Sequence, residues 1–323
     1  MKKASLLVIL SALLCQFGIA ADSVSALELV VPTAAQGSTD QIAHLLAAGL
    51  SRRGFGEVKV VNMPGRSGTV AAAYVAQSAP NGQTLLIATP SSHGIASAFE
   101  GKLSYDPVTS FSPIIRFAAA PYILVVNIAG PTNLGQFVQQ ARNANGQWRY
   151  ASTGIGGPHH LVAELYFKSS DLNLIHQPAS GGANAIGQVQ NGSVEVMLPA
   201  AILALPKIQA QQLRALAVTG DKRIASLPNV PTFGELGVAL QFESWYGLIG
   251  PSGLPAEKVQ QLSTAVIAIL NEPAVEERLA ELAINKKAER GDEFNQVIAR
   301  ELALWKNLVA TLGLNSEKNN LEK

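Results

Sequence analysis

Two stretches of this chain place small hydroxyl residues and glycines where a strand hands over to a helix. The first is Thr33-Ala-Ala-Gln-Gly-Ser-Thr39, between the β-type run 28–32 and an amphipathic helix over 40–50. The second is Ser152-Thr-Gly-Ile-Gly-Gly-Pro158, between the run 148–151 and a helix over 159–167. A helix start carries backbone N–H groups without intrahelical acceptors, and the helix dipole favours negative charge there. Two further junctions have the same chemistry. Pro90-Ser-Ser-His93 follows the apolar run 84–89, and Ser180-Gly-Gly182 precedes a helix over 183–190. All four turns offer neutral donors, hydroxyls and amides, which suit a carboxylate held reversibly. Any one of them alone reads as an ordinary helix cap. Four of them after strands, two lying about 120 residues apart, point to two half-molecules that grip one anion between them.

The elements that must position these turns alternate along the chain. Strand-like runs at 58–62, 84–89, 121–127, 172–176, 194–198 and 213–219 are separated mostly by helical segments. That alternation argues for an α/β fold with mostly parallel sheets. In the first helix, Ile42, Leu45, Leu46 and Leu50 share one face, and Ser38 or Thr39 is placed to cap its start. The last third reads as helices over 256–271, 273–282 and 292–312. Phe294, Ile298, Leu302, Trp305 and Leu308 form a core-facing stripe on the last of them.

Length and composition narrow the function classes. The 323 residues suffice for two domains, here expected as 27–125 plus 246–323 and 126–245. With 48% hydrophobic and 15% charged residues the body is globular. The net charge is +1 and the basic residues are scattered, which argues against nucleic acid or an acidic membrane as partner. Residues 1–26 read as an export signal. Lys2 and Lys3 precede the apolar stretch 4–17, with cleavage after Ala20 or Ala26. Cys15, the single cysteine, lies inside that signal. Leu14 before it argues against lipidation, so the mature chain has no disulfide and no thiol chemistry. No histidine pair has metal-ligand spacing, no Gly-x-Ser-x-Gly elbow is present, and no turn has the context of a phosphate or dinucleotide loop. No metal or cofactor is expected, and an exported hydrolase using His93 or His160 as base is the weaker alternative.

An ordered set of short motifs then carries a family resemblance. It comprises Leu29-Val-Val-Pro-Thr-Ala-Ala-Gln-Gly-Ser-Thr-Asp40, Val61-Asn-Met-Pro-Gly65, Pro80-Asn-Gly-Gln-Thr84 and Tyr105-Asp-Pro-Val-Thr-Ser-Phe111 in the first half. In the second half it comprises Ala151-Ser-Thr-Gly-Ile-Gly156 with His160-Leu161, Gly181-Gly-Ala183, Leu216-Ala-Val-Thr219, Leu227-Pro-Asn-Val-Pro-Thr232, Trp245-Tyr-Gly247 and Pro251-Ser-Gly-Leu-Pro255. In this set the chain resembles the solute-binding proteins of tripartite tricarboxylate transporters, the Bug-type receptors. The resemblance implies a type II periplasmic-binding-protein fold, two α/β domains joined by a hinge and closing on a ligand in the cleft between them. It implies a periplasmic location, a monomer, a small di- or tricarboxylate-like ligand, and a large and a small integral membrane subunit as partners. A receptor that signals to a two-component sensor instead of transporting is the alternative within this reading.

Together the turns and the resemblance predict ligand contacts at Ala34, Ala35, Gln36, Gly37, Ser38, Thr39, Asp40, Ser91, Ser92, Ser152, Thr153, Gly154, Gly156, His160, Ala179 and Gly181. Asp40 either meets an amino group of the ligand or, the blander role, stabilises the helix dipole. Several positions depart from the family pattern. Gln36 replaces the first of two glycines, Arg66 replaces a small residue, Gln177-Pro178-Ala179 replaces a Val-Pro-Tyr pattern, and Glu195 replaces a frequent aspartate. Arg66 either reaches a carboxylate bidentately or stays in water, and Glu195 is a further candidate contact. These departures bear on which acid is bound.

Overall fold

The structure, a computed structural model, describes residues 26–35, 37–99 and 102–314. The export signal up to residue 25, Cys15 and Gln36 lie outside the described residues. The strands are β1 Leu27–Val31, β2 Val58–Asn62, β3 Thr84–Ala88, β4 Phe111–Pro121, β5 Ile123–Asn127, β6 Arg149–Ser152, β7 Ile175–Pro178, β8 Val196–Met197, β9 Leu213–Val218, β10 Glu243–Pro251 and β11 Asn285–Arg290. They form two sheets, ordered β11-β4-β10-β3-β1-β2 and β7-β6-β8-β5-β9.

Each sheet is mixed rather than mostly parallel. β1 pairs parallel with β2 and β3, and β6 with β7 and β8, as expected for strand–helix–strand units. The remaining ladders, β3–β10, β4–β10, β4–β11, β5–β8 and β5–β9, are antiparallel. The cause is connectivity. The chain leaves the first sheet at the end of β4, passes through Tyr122 directly into β5 of the second sheet, and returns on β10. Strands that carry the chain between lobes run against those of the strand–helix units. The sheet change at Tyr122 falls earlier than the crossing expected near residue 125.

Burial explains which residues form the sheets. Leu29, Val30, Val31, Leu85, Leu86 and Ile87 are fully buried, because helices cover both faces of the first sheet. Helix Ser38–Arg52 packs Ile42, Leu46 and Leu50 onto one face, and helix Thr69–Ala76 packs Ala71, Ala72 and Val75 onto the other. Gly247 on β10 has no room for a side chain: a Cβ there would lie 2.1 Å from the Phe294 ring. The C-terminal helix Gly291–Leu312 belongs to both lobes. Phe294, Val297 and Ile298 join the first-lobe cluster with Val30, Leu86 and Trp245. Trp305, Leu308 and Val309 join the cluster that holds Leu124, Val126 and Tyr150 of the second sheet. Trp245 is fully buried, edge-on to Phe294 with ring centroids 5.3 Å apart. None of the described helices is long and apolar enough to cross a membrane.

Candidate functional site

A cavity of about 330 Å³ opens between the sheets. Most of its wall follows the carboxyl ends of strands, where open α/β sheets bind ligands. Pro32, Thr33 and Thr39 follow β1, residues 65–68 follow β2, and Thr89, Pro90 and Ser91 follow β3. Across the gap, Pro158 and His159 follow β6, while Ala200, Ile202 and Leu203 follow β8. Tyr122, Ser244 and Tyr246 close the floor where the chain crosses between lobes.

The first-lobe wall is polar. Thr33, Thr39, Ser67, Thr89 and Ser91 bring hydroxyls to the cavity, and among the described residues Arg66 is its one Lys or Arg. Arg66 sits in an unusual run. Gly65, Arg66, Ser67 and Gly68 have φ of 138°, 45°, 54° and 91°. Left-handed backbone at two consecutive residues with side chains costs energy and marks a turn held in place by its surroundings. Gly68 is irreplaceable on space as well, since a Cβ would lie 2.9 Å from Pro32 and 3.2 Å from Ser92. The run thereby projects the Arg66 guanidinium, exposed to solvent, at the cavity edge.

Helix Ser38–Arg52 starts from Gly37 rather than from a hydroxyl cap, with extended backbone and no side-chain cap bond. Thr39 faces the cavity, buried. Asp40 is nearly buried and accepts a hydrogen bond from Asn62 Nδ2 at 2.8 Å, with His44 Nε2 at 3.6 Å. The same Asn62 amide donates to the Thr33 carbonyl at 3.2 Å, so Asp40 and Asn62 brace the first turn from behind. Ala34 and Ala35 belong to that turn without reaching the cavity lining.

In the second lobe the cavity is met by His159, not His160. His159 Nδ1 is 2.8 Å from the Thr153 hydroxyl, and its buried Nε2 has no hydrogen-bond partner among the described residues. Burial holds this imidazole down at about 4, so it is neutral at pH 7. His160 turns inward. Its Nδ1 accepts the Gly156 N–H at 3.0 Å and its ring stacks on His176 with centroids 3.9 Å apart. Burial, with the His176 charge a smaller cause, pulls it to about 3. The adjacent positions diverge because successive helical residues point about 100° apart.

Other predicted contacts support the turns instead of lining the cavity. Ser152 is fully buried; its Oγ lies 2.7 Å from His176 Nε2, donates to the Gly154 carbonyl and accepts from the Gly154 N–H. Gly156 packs on the first-lobe Phe99, whose ring a Cβ would meet at 2.9 Å. Ser92 is fully buried and bonded to Thr89 and His93. The two Ser–His pairs are thus enclosed, and neither serine reaches the cavity, which leaves the hydrolase alternative no exposed nucleophile among them. Ala179 donates its N–H to the Ser152 carbonyl. Gly181 starts helix Gly182–Gln190, and Leu203 packs on Gly182 and forms cavity wall in its place. Glu195 lies away from the cavity, at the start of β8, where it accepts the Arg149 N–H at 2.7 Å. The sequence reading missed Tyr122, Ser244 and Tyr246, whose approach depends on the crossing strands, and Ala200, Ile202 and Leu203, whose aliphatic character gave no chemical signal.

Comparison with known proteins follows the same lines. The profile of the TctC family, tripartite tricarboxylate transporter family receptor, matches residues 42–314. A UPF0065 protein from the tcbD-tcbE intergenic region of Pseudomonas sp. strain P51 is 28% identical over 294 residues, 90% of this chain and 87% of its own. The solved structure of Rpa4515 from R. palustris with adipate is 30% identical, with a TM-score of 0.79 over 89% of this chain and 97% of that one. MatC from Rhodopseudomonas palustris with bound malate is 28% identical, with a TM-score of 0.76 over 88% of this chain and 98% of that one. The two-sheet architecture is the type II periplasmic-binding-protein fold that the resemblance implied.

Proposed function

The chain belongs to the tripartite tricarboxylate transporter receptor family, a family of solute-binding receptors, and from that premise we propose that it captures a small organic acid in the cavity between its lobes and delivers it to a membrane transporter of that type. The observation that carries this reading is the first-lobe wall: strand-end hydroxyls, an uncapped helix start after Gly37, and Arg66 at the edge, with no Asp or Glu among the described lining residues. Such a wall stabilises a carboxylate and repels nothing anionic. The site contacts proposed on the first lobe are Thr33, Thr39, Arg66 and Ser91, and on the second Thr153 through His159. The place of action is the periplasm, reached through the export signal, and the membrane partners are the large and small transporter subunits. Binding holds the lobes together about the Tyr122 crossing.

Isothermal titration of ligand-stripped protein against mono-, di- and tricarboxylates tests the reading. Micromolar or tighter binding of at least one acid is expected. Absence of heat and of any thermal stabilisation across the whole panel would remove the proposal.

A further inference from the structure

The two walls of the cavity differ in kind. Hydroxyls and Arg66 face it from the first lobe, whereas the second lobe presents Pro158, Ala200, Ile202 and Leu203 together with the neutral His159. No Lys or Arg lines the second side among the described residues, and Leu203 stands on Gly182, the start of the helix that would otherwise offer amides there. Two polar atoms of the lining are buried without a hydrogen-bond partner among the described residues: Thr33 Oγ1 on the first lobe and His159 Nε2 on the second. Buried polar groups are almost always paired, and both of these sit on lining residues, where a bound molecule that displaces their cover would pair them.

Resting on the receptor function above, we propose that the site selects a monocarboxylic acid whose carboxylate meets Thr33 and Arg66, whose body lies on the aliphatic second wall, and whose far end carries at most one uncharged polar group facing His159. This departs from the di- or tricarboxylate expected from the resemblance. A second carboxylate on the Ile202 and Leu203 side would be desolvated without a cation, which is costly. An uncharged hydroxyl or carbonyl is matched instead. The Thr153 hydroxyl at 2.8 Å from His159 Nδ1 rotates to suit either tautomer, so Nε2 serves as donor or acceptor. Position 159 thereby acts as a specificity-determining residue, placed by its neighbour Thr153.

Titration calorimetry of the ligand-stripped full chain with hexanoate, 6-hydroxyhexanoate and adipate separates the terms, because the three share one chain length. Hexanoate should bind at least about tenfold more tightly than adipate, since burial of apolar chain adds about fourfold per methylene and the second charge opposes it. The terminal hydroxyl should add roughly two- to tenfold. The increment, read as the ratio of 6-hydroxyhexanoate to hexanoate affinity within each protein, should vanish in His159→Phe and survive in part in His159→Gln. Adipate binding as tightly as hexanoate, or more tightly, overturns the inference and leaves the receptor function standing. A hydroxyl increment that persists in His159→Phe overturns the role of His159. Failure of all three acids, with no acid of the wider panel binding either, removes the receptor function itself.

Discussion

Acidification from pH 7 to pH 5 should destabilise the protein by about 4 kcal/mol, and the histidines supply the arithmetic. Burial holds His93 at about 3, His159 at about 4 and His160 at about 3, each well below the ordinary 6.5. Each is therefore neutral in the fold and readily protonated once unfolded. The stability so contributed is fully present above pH 6.5 and is lost as pH falls towards the folded values. Between pH 7 and pH 5 each imidazole costs about 2 kcal/mol, roughly 6 kcal/mol for three. His176, half-buried and stacked on His160, is lowered in the same direction by burial, but solvent around it screens its contribution to a small addition. Glu301 works in the other direction. Burial raises its carboxyl to about 7, so the fold holds its proton more tightly than the unfolded chain and gains about 2 kcal/mol over the same interval. The net loss of about 4 kcal/mol corresponds to a melting temperature roughly 8–16 °C lower at pH 5. Thermal unfolding followed by the near-ultraviolet circular dichroism of the buried Trp245 and Trp305, at matched ionic strength and without ligand, reads this directly. His159→Gln should remove about a third of the histidine contribution. A melting temperature at pH 5 equal to or above that at pH 7 would refute the reasoning.

Three further outcomes are expected. Arg66→Ala should weaken binding of the preferred acid by about tenfold, the low end for a charge-assisted hydrogen bond because the residue is exposed, with the melting temperature of the free protein nearly unchanged; calorimetry and a thermal scan check both halves. Gly68→Ala combines a left-handed backbone with contacts at 2.9 and 3.2 Å and should cost about 2–4 kcal/mol in urea unfolding, whereas Ser67→Gly, at φ 54°, should stabilise by roughly 1 kcal/mol in the same assay. Gly247→Ala forces the Phe294 ring from its place and should cost about 3 kcal/mol or leave the protein insoluble, measured by denaturant titration and soluble yield.

The legible parts of the fold were those whose pattern is local. β2, β3 and β9 stand out as short apolar runs bounded by turn residues, and the C-terminal helices as stripes at helical spacing. β4 was hidden by Pro113, which the sheet accommodates beside the register shift between Leu248 and Ile249. β11 was hidden by its charges, Asn285-Lys-Lys-Ala-Glu-Arg290, which suit the outermost strand of a sheet. In the site, glycine and hydroxyl turns were readable because backbone geometry demands those residue types. The choice between His159 and His160 was not, because it depends on where the helix is rotated about its axis. The aliphatic wall was not readable either: Ala200, Ile202 and Leu203 resemble core residues until two lobes are brought face to face.

The sharing of the last helix between both cores restricts how the molecule breathes. Pulling the lobes apart with that helix left on the first sheet would wet Trp305, Leu308 and Val309, at about 1.5–3 kcal/mol for each side chain. A wide gape is therefore opposed by several kilocalories per mole, and the helix acts as a buckle on the back of the hinge. Opening in such a molecule is confined to a parting small enough to leave these three side chains covered.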